Sequence, residues 1–533
     1  MATLLDTMAR WLAREPAPPA PPVAALPAPE SAQQLTASGT ELQRKPQQQR
    51  LAYAGAKRDR SNYDWNAART GPNKEIWGAA QLLRDRSRDL VRNNPHARKA
   101  IEVLASNIIG TGIRAKCTHP DETVRRTVDE LWARWQEECS AESDLEWTGL
   151  QTLAVTSWLE SGEVLVRRRW RRLEDGLAVP LQLELIEADQ LWEYKNEPLP
   201  TGGTIVQGVE FNPIGQRENY WILRRHPGEY DAIQTTITVT TMVARVPAVD
   251  ICHLYRATRP KQVRGVPWLS TVIMALRDLD QYQVAERVRK RSQAGMVGVI
   301  IPADDATYDA DSTDAVGTAM TDADGNIVDD LEPGSFFVAR NGKDVRFSTP
   351  VSDAGYSEWM TTQLRMIATG CLVTHEQLSG DLSQVNYSSI RLGILEFQRL
   401  VDVLRRQIVV PLMCKRVWRW FIEAAILAGE LTGSVEDYPC TWVMPHREEI
   451  DRETAVRAAI LEMRAGLRSR TDEIVARGDD PDEVLAEMIA DLQATRDADI
   501  WLDSDPNKAN GGAPVSTMVE PAAAAPASGA EAP

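Results

Sequence analysis

The sequence predicts an α+β protein in which helices and strands hold separate stretches of the chain. Three observations carry that class. Apolar residues recur at helical spacing from 76 to 109, and runs rich in β-branched and aromatic residues, divided by Gly, Pro and Asn, dominate between Glu163 and Tyr255. Further on, Ile390, Ile394, Phe397, Val401, Leu404 and Ile408 form one apolar stripe at spacings of 4, 3, 4, 3 and 4, the mark of a long helix.

In order, the first predicted elements are a helix pair in IWGAAQLLRDRSRDLVRNNPHARKAIEVLASNII, divided at Asn94-Pro95, where proline ends one helix and opens the next. Gly110-Thr111-Gly112 leads into an extended stretch. A helix over 124–138 follows, with Trp132 and Trp135 on one face, and a third over 148–161 stops at Gly162. EVLVRRRW, LQLELIEADQL, VQGVEF, YWILRR, ITVTTM and ICHLYR then read as strands. Pro267 opens a helix expected to run to about Ala294, with a basic second half, ERVRKRS. Residues 297–350 revert to short strands around the acidic TYDADSTDAVGTAMTDADGNIVDD, and a helix near 356–370 returns the chain. The striped helix follows a polar loop; Pro411 is expected to kink or restart it before MCKRVWRWFIEAAILAG, which ends at Gly429. Residues 447–500, with 15 Asp or Glu against 8 Arg, make an acidic helical segment. The stretch from Glu15 to about Arg50 and the tail from Asn507 are rich in Pro and Ala and lack the residues that offset ordering entropy, so both are expected to be flexible.

At 533 residues the chain is long enough for two to four domains and a sizeable core. Its net charge of −16 argues against a sequence-specific DNA binder that gains affinity by neutralising phosphates, but does not exclude a protein that DNA slides past. The six cysteines form no C-x-x-C pair and read as reduced, mostly buried thiols. The opening MATLLDTMARWLAREPAPP lacks the apolar core of a signal peptide, and no apolar run reaches the roughly 18 residues of a membrane span. A protein made and kept in a cytoplasm, with no membrane partner, is expected.

Catalytic chemistry is mostly missing. No phosphate-cradling GxxxxGK[ST] occurs, GTGIRAK having the wrong spacing, and there is no G-x-S-x-G or H-E-x-x-H. Cys252 and His253 are neighbours on a strand and point to opposite faces, which suits a core thiol and a hydrogen-bonded imidazole better than a metal site. Cys117 and His119 are two ligands at most. Carboxylate pairs such as Asp304-Asp305 and Asp479-Asp480 read as solvated turns. His375, Glu376 and Ser379 could be drawn as a hydrolase built around loop 375–389, although a helix-to-loop turn explains them as well. No catalytic residue, cofactor or metal is expected. Most of the sixteen tryptophans, Trp132, Trp158, Trp221 and Trp418 among them, read as core or subunit interface.

Five blocks resemble the lambda-type phage portal proteins, in that family's order: LRDRSRDLVRNNPHARKAIEVLASNIIGTGIRAK (83–116), WLESGEVLVRRR (158–169), LELIEADQL (183–191), RGVPWLSTVIMALRDLDQYQVAERVRK (264–290) and SGDLSQVNYSSIRLGILEF (379–397). The resemblance implies a portal fold: a β-rich wing, long stem and tunnel helices, a small α/β clip and a helical crown, assembled as a dodecameric ring at one capsid vertex of the virion. By order, the chain would divide into an arm (1–60), wing (61–266), stem helix (267–296), clip (297–350), returning segment (351–380), tunnel loop and helix (381–430), crown (431–506) and tail (507–533). Double-stranded DNA would pass through the ring without being read. The large terminase subunit, major capsid and scaffold proteins, and head-completion or tail connector proteins would be its partners, the ATPase being supplied by the terminase. Ser383, Gln384, Asn386, Tyr387, Ser388, Ser389 and Arg391 would present a polar loop to the DNA, with Asp381 or Asn386 capping the helix behind it. Arg287, Arg289, Lys290 and Arg291 would divide between subunit ion pairs and DNA-facing charge. Another ring-forming capsid adaptor is the second alternative, distinguished by ring stoichiometry.

Overall fold

The computed structural model describes residues 69–142, 145–229, 242–302, 335–338, 342–346, 355–383, 385–446, 451–479 and 481–498. The N-terminal arm, the C-terminal tail, most of ITVTTM, the acidic excursion at 307–330 and Gln384 lie outside them.

Helices come first: α1 (Pro72–Trp77), α2 (Ala80–Asn93) and α3 (Pro95–Ile109). The expected break is built by Asn94, whose side-chain oxygen accepts the amides of His96 and Ala97 at 3.0 and 3.1 Å, while Pro95 sits where no helical amide is needed. After β1 (Arg114–Cys117) come α4 (Glu122–Glu138) and α5 (Trp147–Ser161). Trp132 and Trp135 of α4 meet as expected, 4.8 Å between ring centroids, and both are buried. Gly162 ends α5 in the left-handed region, φ +93°.

The strands β2 (Glu163–Trp170) and β3 (Leu181–Glu187) are followed by β4 (Glu197–Pro198), β5 (Thr204–Val206), β6 (Val209–Phe211), β7 (Arg217–Leu223), β8 (Val243–Pro247) and β9 (Ile251–Tyr255). They make two antiparallel sheets, ordered β3-β2-β9 and β4-β5-β6-β7-β8. VQGVEF is not one strand: Gln207 (φ +50°) and Gly208 (φ +83°) form a two-residue hairpin turn between β5 and β6. Two consecutive positive-φ residues match the right-handed twist of the flanking strands. A small core of Leu165, Ile186, Val209, Tyr220, Ile222 and Val246 lies between the sheets.

The long helix, α6, runs Ile273–Gly295 and starts later than expected. Pro267 instead precedes a 3₁₀ turn, Trp268–Thr271, which lets the Trp268 indole donate to the Cys371 carbonyl at 2.7 Å and drops Leu269 into the core. The 23 residues span about 35 Å at 1.5 Å each. Leu276 and Leu279 are buried, whereas Val284 and Val288 beyond them are exposed. Strands β10 (Met296–Pro302), β11 (Ser335–Val338) and β12 (Gly342–Arg346) form a third sheet with β10 in the centre. Then α7 (Tyr356–Cys371) returns alongside α6, Tyr282 packing on Trp359 at 4.2 Å.

After α8 (His375–Ser379), α9 (Tyr387–Leu404) carries the stripe, and the helix neither breaks nor restarts at Pro411. Arg405–Cys414 continues as a π-helix into α10 (Lys415–Ala428). The wider turn bonds the Lys415 amide to the Val410 carbonyl, five residues back, and accommodates a ring that would collide with a normal α-turn. Arg405 is buried, and its guanidinium donates to the Ile108 and Asn107 carbonyls at 2.7 Å each, capping the orphan end of α3. Trp418 and Phe421 of α10 join Trp132 at 5.1 and 4.8 Å, so one large core takes residues from both halves of the chain. Gly429 terminates α10 at φ +85°. Strand β13 (Cys440–Val443) pairs antiparallel with β1, and α11 (Arg452–Arg464), α12 (Arg470–Ala476) and α13 (Pro481–Asp497) finish the described chain. Arg114 reaches the Gly478 carbonyl and Lys116 the Asp482 carboxylate, fixing these helices to β1.

Candidate functional site: the polar turn before α9 and the basic end of α6

The polar stretch that suggested a loop is shorter than expected. Tyr387, Ser388, Ser389 and Arg391 belong to the first turns of α9, leaving Asp381 to Asn386 as the connection. Asp381 does not cap α9: its carboxylate accepts the Ser383 amide at 2.9 Å, and hydrogen bonds from the Ser383 side chain and backbone hold it below the usual carboxylate range. Asn386 stands at the helix start, where its carbonyl accepts the amides of Ser389 and Ile390 at 3.1 Å each. The described connection is therefore a self-bonded turn with Ser383 and Asn386 exposed on it.

The hydrolase arrangement does not form. Thr374 and Gln377 close a capping box over α8, and the Ser379 hydroxyl donates to the His375 backbone carbonyl at 2.8 Å. That proton is directed to backbone rather than to the imidazole, as a helix-to-turn reading requires.

Along α9 the stripe divides. Phe397, Val401 and Leu404 are buried in the large core, while Ile390 and Ile394 toward the helix start are half-buried. A second apolar row, Leu392, Leu395 and Val403, stands on the outer face at 70%, 45% and 44% exposure. Sequence reading had missed it, although Leu392 and Leu395 were legible as apolar positions off the main stripe. Arg391 contributes, after the hydrogen bonds from Thr454, to holding Asp451 low, and so lies toward the start of α11.

At the end of α6, Arg287, Arg289, Lys290 and Arg291 are all exposed. Arg289 pairs with Glu286 at 2.7 Å and Lys290 approaches the same carboxylate at 4.0 Å and the Tyr356 ring at 5.3 Å. Arg287 donates to the Gln283 carbonyl. Part of this charge is thus compensated within the helix itself.

The buried polar network missed in sequence lies where the sheets meet the root of α6. Glu163 is fully buried and bonds Arg264 Nε at 2.6 Å, the Gly265 amide at 2.8 Å and His253 Nε2 at 2.9 Å. Burial alone would push this carboxyl up, but the Arg264 charge and then the His253 hydrogen bond outweigh it and hold it well below the usual range. Burial, opposed by Glu163, pushes His253 down to about 4, so the imidazole is neutral at pH 7 and donates from Nε2. Arg264 also donates to the Gln207 and Ala188 carbonyls, tying the five-stranded sheet to the β2-β9 edge. Cys252 points the other way, toward Met413, as the alternation demanded. These groups are closed off from solvent and hold structure.

Among the described residues one cluster has the composition of a metal site: Glu187, Asp189 and His226. Its carboxylates are already held by Arg88 at 2.8 and 2.6 Å and by Arg84 at 3.1 Å. A cation entering there would meet two guanidinium groups. No helix among the described residues is long and apolar enough to cross a membrane.

The family described as "Phage portal protein, lambda family" matches residues 58–405. The probable portal protein of Halomonas phage phiHAP-1 is 24% identical over 466 residues, covering 82% of this chain and 85% of its own. Portal protein B of Escherichia phage lambda is 23% identical over 461 residues, covering 78% and 84%. Among solved structures, the neck of an empty gene-transfer-agent (GTA) particle, computed with C6 symmetry, is similar at 16% identity and a TM-score of 0.44, over 74% of this chain and 94% of that one.

Proposed function

This chain belongs to the lambda family of phage portal proteins, structural components of the phage particle and not enzymes, and from that premise we propose that it assembles as a ring of about twelve copies through which double-stranded DNA enters and leaves the capsid. A closed ring of identical subunits needs two different complementary faces on each copy. The observation that carries the reading is the bare apolar row on α9, Leu392, Leu395 and Val403, opposite the row that the chain buries in its own core. A neighbouring copy is the occupant that such a face fits. The exposed Val284 and Val288 on α6, set among Arg287 and Arg291, supply a second face of different character.

In this reading 61–266 forms the wing, α6 the stem, 297–350 the clip, 351–380 the returning segment and 381–430 the tunnel turn and helix. Residues 431–506 form the crown, whose first part reaches back to the wing through the pairing of Cys440–Val443 with Arg114–Cys117. Residues 1–60 are the arm of this division and 507–533 its tail. Ser383, Gln384, Asn386, Tyr387, Ser388, Ser389 and Arg391 line the channel near the DNA and contact phosphates weakly, because strong neutralisation would brake a sliding duplex. Arg287, Arg289, Lys290 and Arg291 divide between subunit ion pairs and DNA-facing charge. The large terminase subunit docks at the clip and is replaced by head-completion and tail connector proteins, while capsid and scaffold proteins surround the wing.

Native mass spectrometry and end-on negative-stain images test the ring. Rings of about twelve copies, lost in a Leu392→Asp, Leu395→Asp variant that keeps its helical circular dichroism, are expected. A wild-type chain that stays monomeric with scaffold protein added overturns the reading. Reversal of all four basic charges on α6 without effect on assembly or packaging overturns their assignment.

A further inference from the structure

The two-stranded ribbon of β1 and β13 brings together two cysteines far apart in sequence. Cys117 stands directly across from Cys440. The next pair along, Thr118 and Pro439, is the hydrogen-bonded one, the Thr118 amide donating to the Pro439 carbonyl at 2.8 Å. Cys117 and Cys440 therefore form a non-hydrogen-bonded pair, in which the Cα atoms come within about 4.5 Å and both side chains lie on one face. That separation falls within the roughly 4.4–6.8 Å that a disulfide requires. Both thiols are free in this structure.

Their environments differ in a way that orders the chemistry. Cys117 is fully buried, whereas Cys440 is half-buried and reachable. Burial, then the neighbouring Cys117, pushes the Cys440 thiol up to about 12, and Lys415 opposes this. Both thiols are poor nucleophiles at neutral pH and stay reduced until an oxidant reaches the exposed member.

We infer that Cys117 and Cys440 are a redox pair that closes a cross-strand disulfide when the protein meets a low-molecular-weight disulfide, stapling β13 to β1. Cys440 thiolate attacks one sulfur of the oxidant, forming a mixed disulfide and releasing one small thiol. Cys117 then gives up its proton and displaces the second small thiol from the Cys440 sulfur. Two protein thiols are oxidised and one small disulfide is reduced to two thiols. The staple closes the chain from α4 through α10 into one loop, with α1–α3 and α11–α13 outside it, and holds the ribbon that Arg114 and Lys116 tie to the last helices. This inference stands on the ribbon's register and does not depend on ring assembly.

The test is to treat the full chain with hydroxyethyl disulfide at pH 8.5, alkylate remaining thiols, and map peptides without reduction. A linked pair carrying Cys117 and Cys440, with an unfolding midpoint raised by about 5 °C and restored by reductant, is expected. Cys440→Ser should lose both effects. Recovery of Cys117 as an alkylated thiol, whether Cys440 is alkylated, capped by hydroxyethyl thiol or joined to Cys414, overturns the inference, and wild-type mapping decides this even if the variant folds poorly.

Discussion

Replacing Arg264 with Met removes the cation that makes the burial of Glu163 tolerable. The carboxylate would keep the Gly265 amide and His253 as partners, but the Gln207 and Ala188 carbonyls would lose their guanidinium donor. Breaking one side of a buried pair costs about 3–5 kcal/mol, and two orphaned carbonyls place this site in the upper half of that range, at about 4 kcal/mol at pH 7.5. The pH dependence gives the sharper check. In the wild type the Glu163 carboxyl lies below its unfolded value, so its contribution is complete above about pH 4.3 and is lost as pH falls beneath that. Without Arg264, burial becomes the leading influence on Glu163, and the Glu163–His253 pair takes up a proton in the folded state that the wild-type folded pair, its carboxyl held low and its imidazole pushed down to about 4, does not bind. The variant then gains stability relative to wild type as pH falls toward 5, by at most about 1.4 kcal/mol per pH unit. Urea unfolding followed by tryptophan fluorescence at pH 7.5 and pH 5 measures both quantities. A variant within about 1 kcal/mol of wild type at pH 7.5, or a gap that widens at pH 5, refutes the reasoning. Adding Glu163→Gln to Arg264→Met should recover part of the loss by removing the stranded charge.

Gly162→Ala should cost about 2 kcal/mol or more in thermal unfolding, since the added Cβ would lie 2.4 Å from the Val266 carbonyl carbon on a backbone held at φ +93°. Asn94→Ala should cost about 1 kcal/mol through the lost cap of α3, with Asn94→Gly costing less. In solution, ring assembly should respond to charges on the bare row of α9, and the Cys117–Cys440 link should appear only after oxidation, as the experiments above measure.

Periodicity made the helices legible wherever an apolar face is buried inside this chain: α3, α4, α5 and α10 end within a residue or two of their sequence signals, and Asn94, Gly162 and Gly429 act as those signals require. Its failures share a cause, namely information carried by tertiary contacts. Pro411 was expected to kink or restart the helix, yet a π-helical segment carries the chain through it without a restart, where Arg405 anchors that segment to the end of α3. Pro267 should start one, yet Trp268 is drawn to Cys371 and a 3₁₀ turn intervenes. The Gln207-Gly208 hairpin was hidden inside an apparent strand, because two positive-φ residues leave little mark when the first is not glycine. At the candidate site the polar residue types were visible but the start of α9 was not, so half of the expected loop proved helical. The buried Glu163–Arg264–His253 network was invisible, its members lying far apart in sequence with no motif to join them.

The long helix α6 has a mechanical consequence. Its first two turns are clamped in the core through Leu276 and Leu279, Tyr282 rests on Trp359 partway along, and in the charged far half Lys290 still reaches the Tyr356 ring of α7. It is a beam fixed at its root and supported by α7 along much of its length. Its root stands beside the 3₁₀ turn and the close backbone contact of Gly162 with Gly265. Two packed glycines leave no side chain there to yield, so the root of α6 and the start of β2 are held at one backbone spacing.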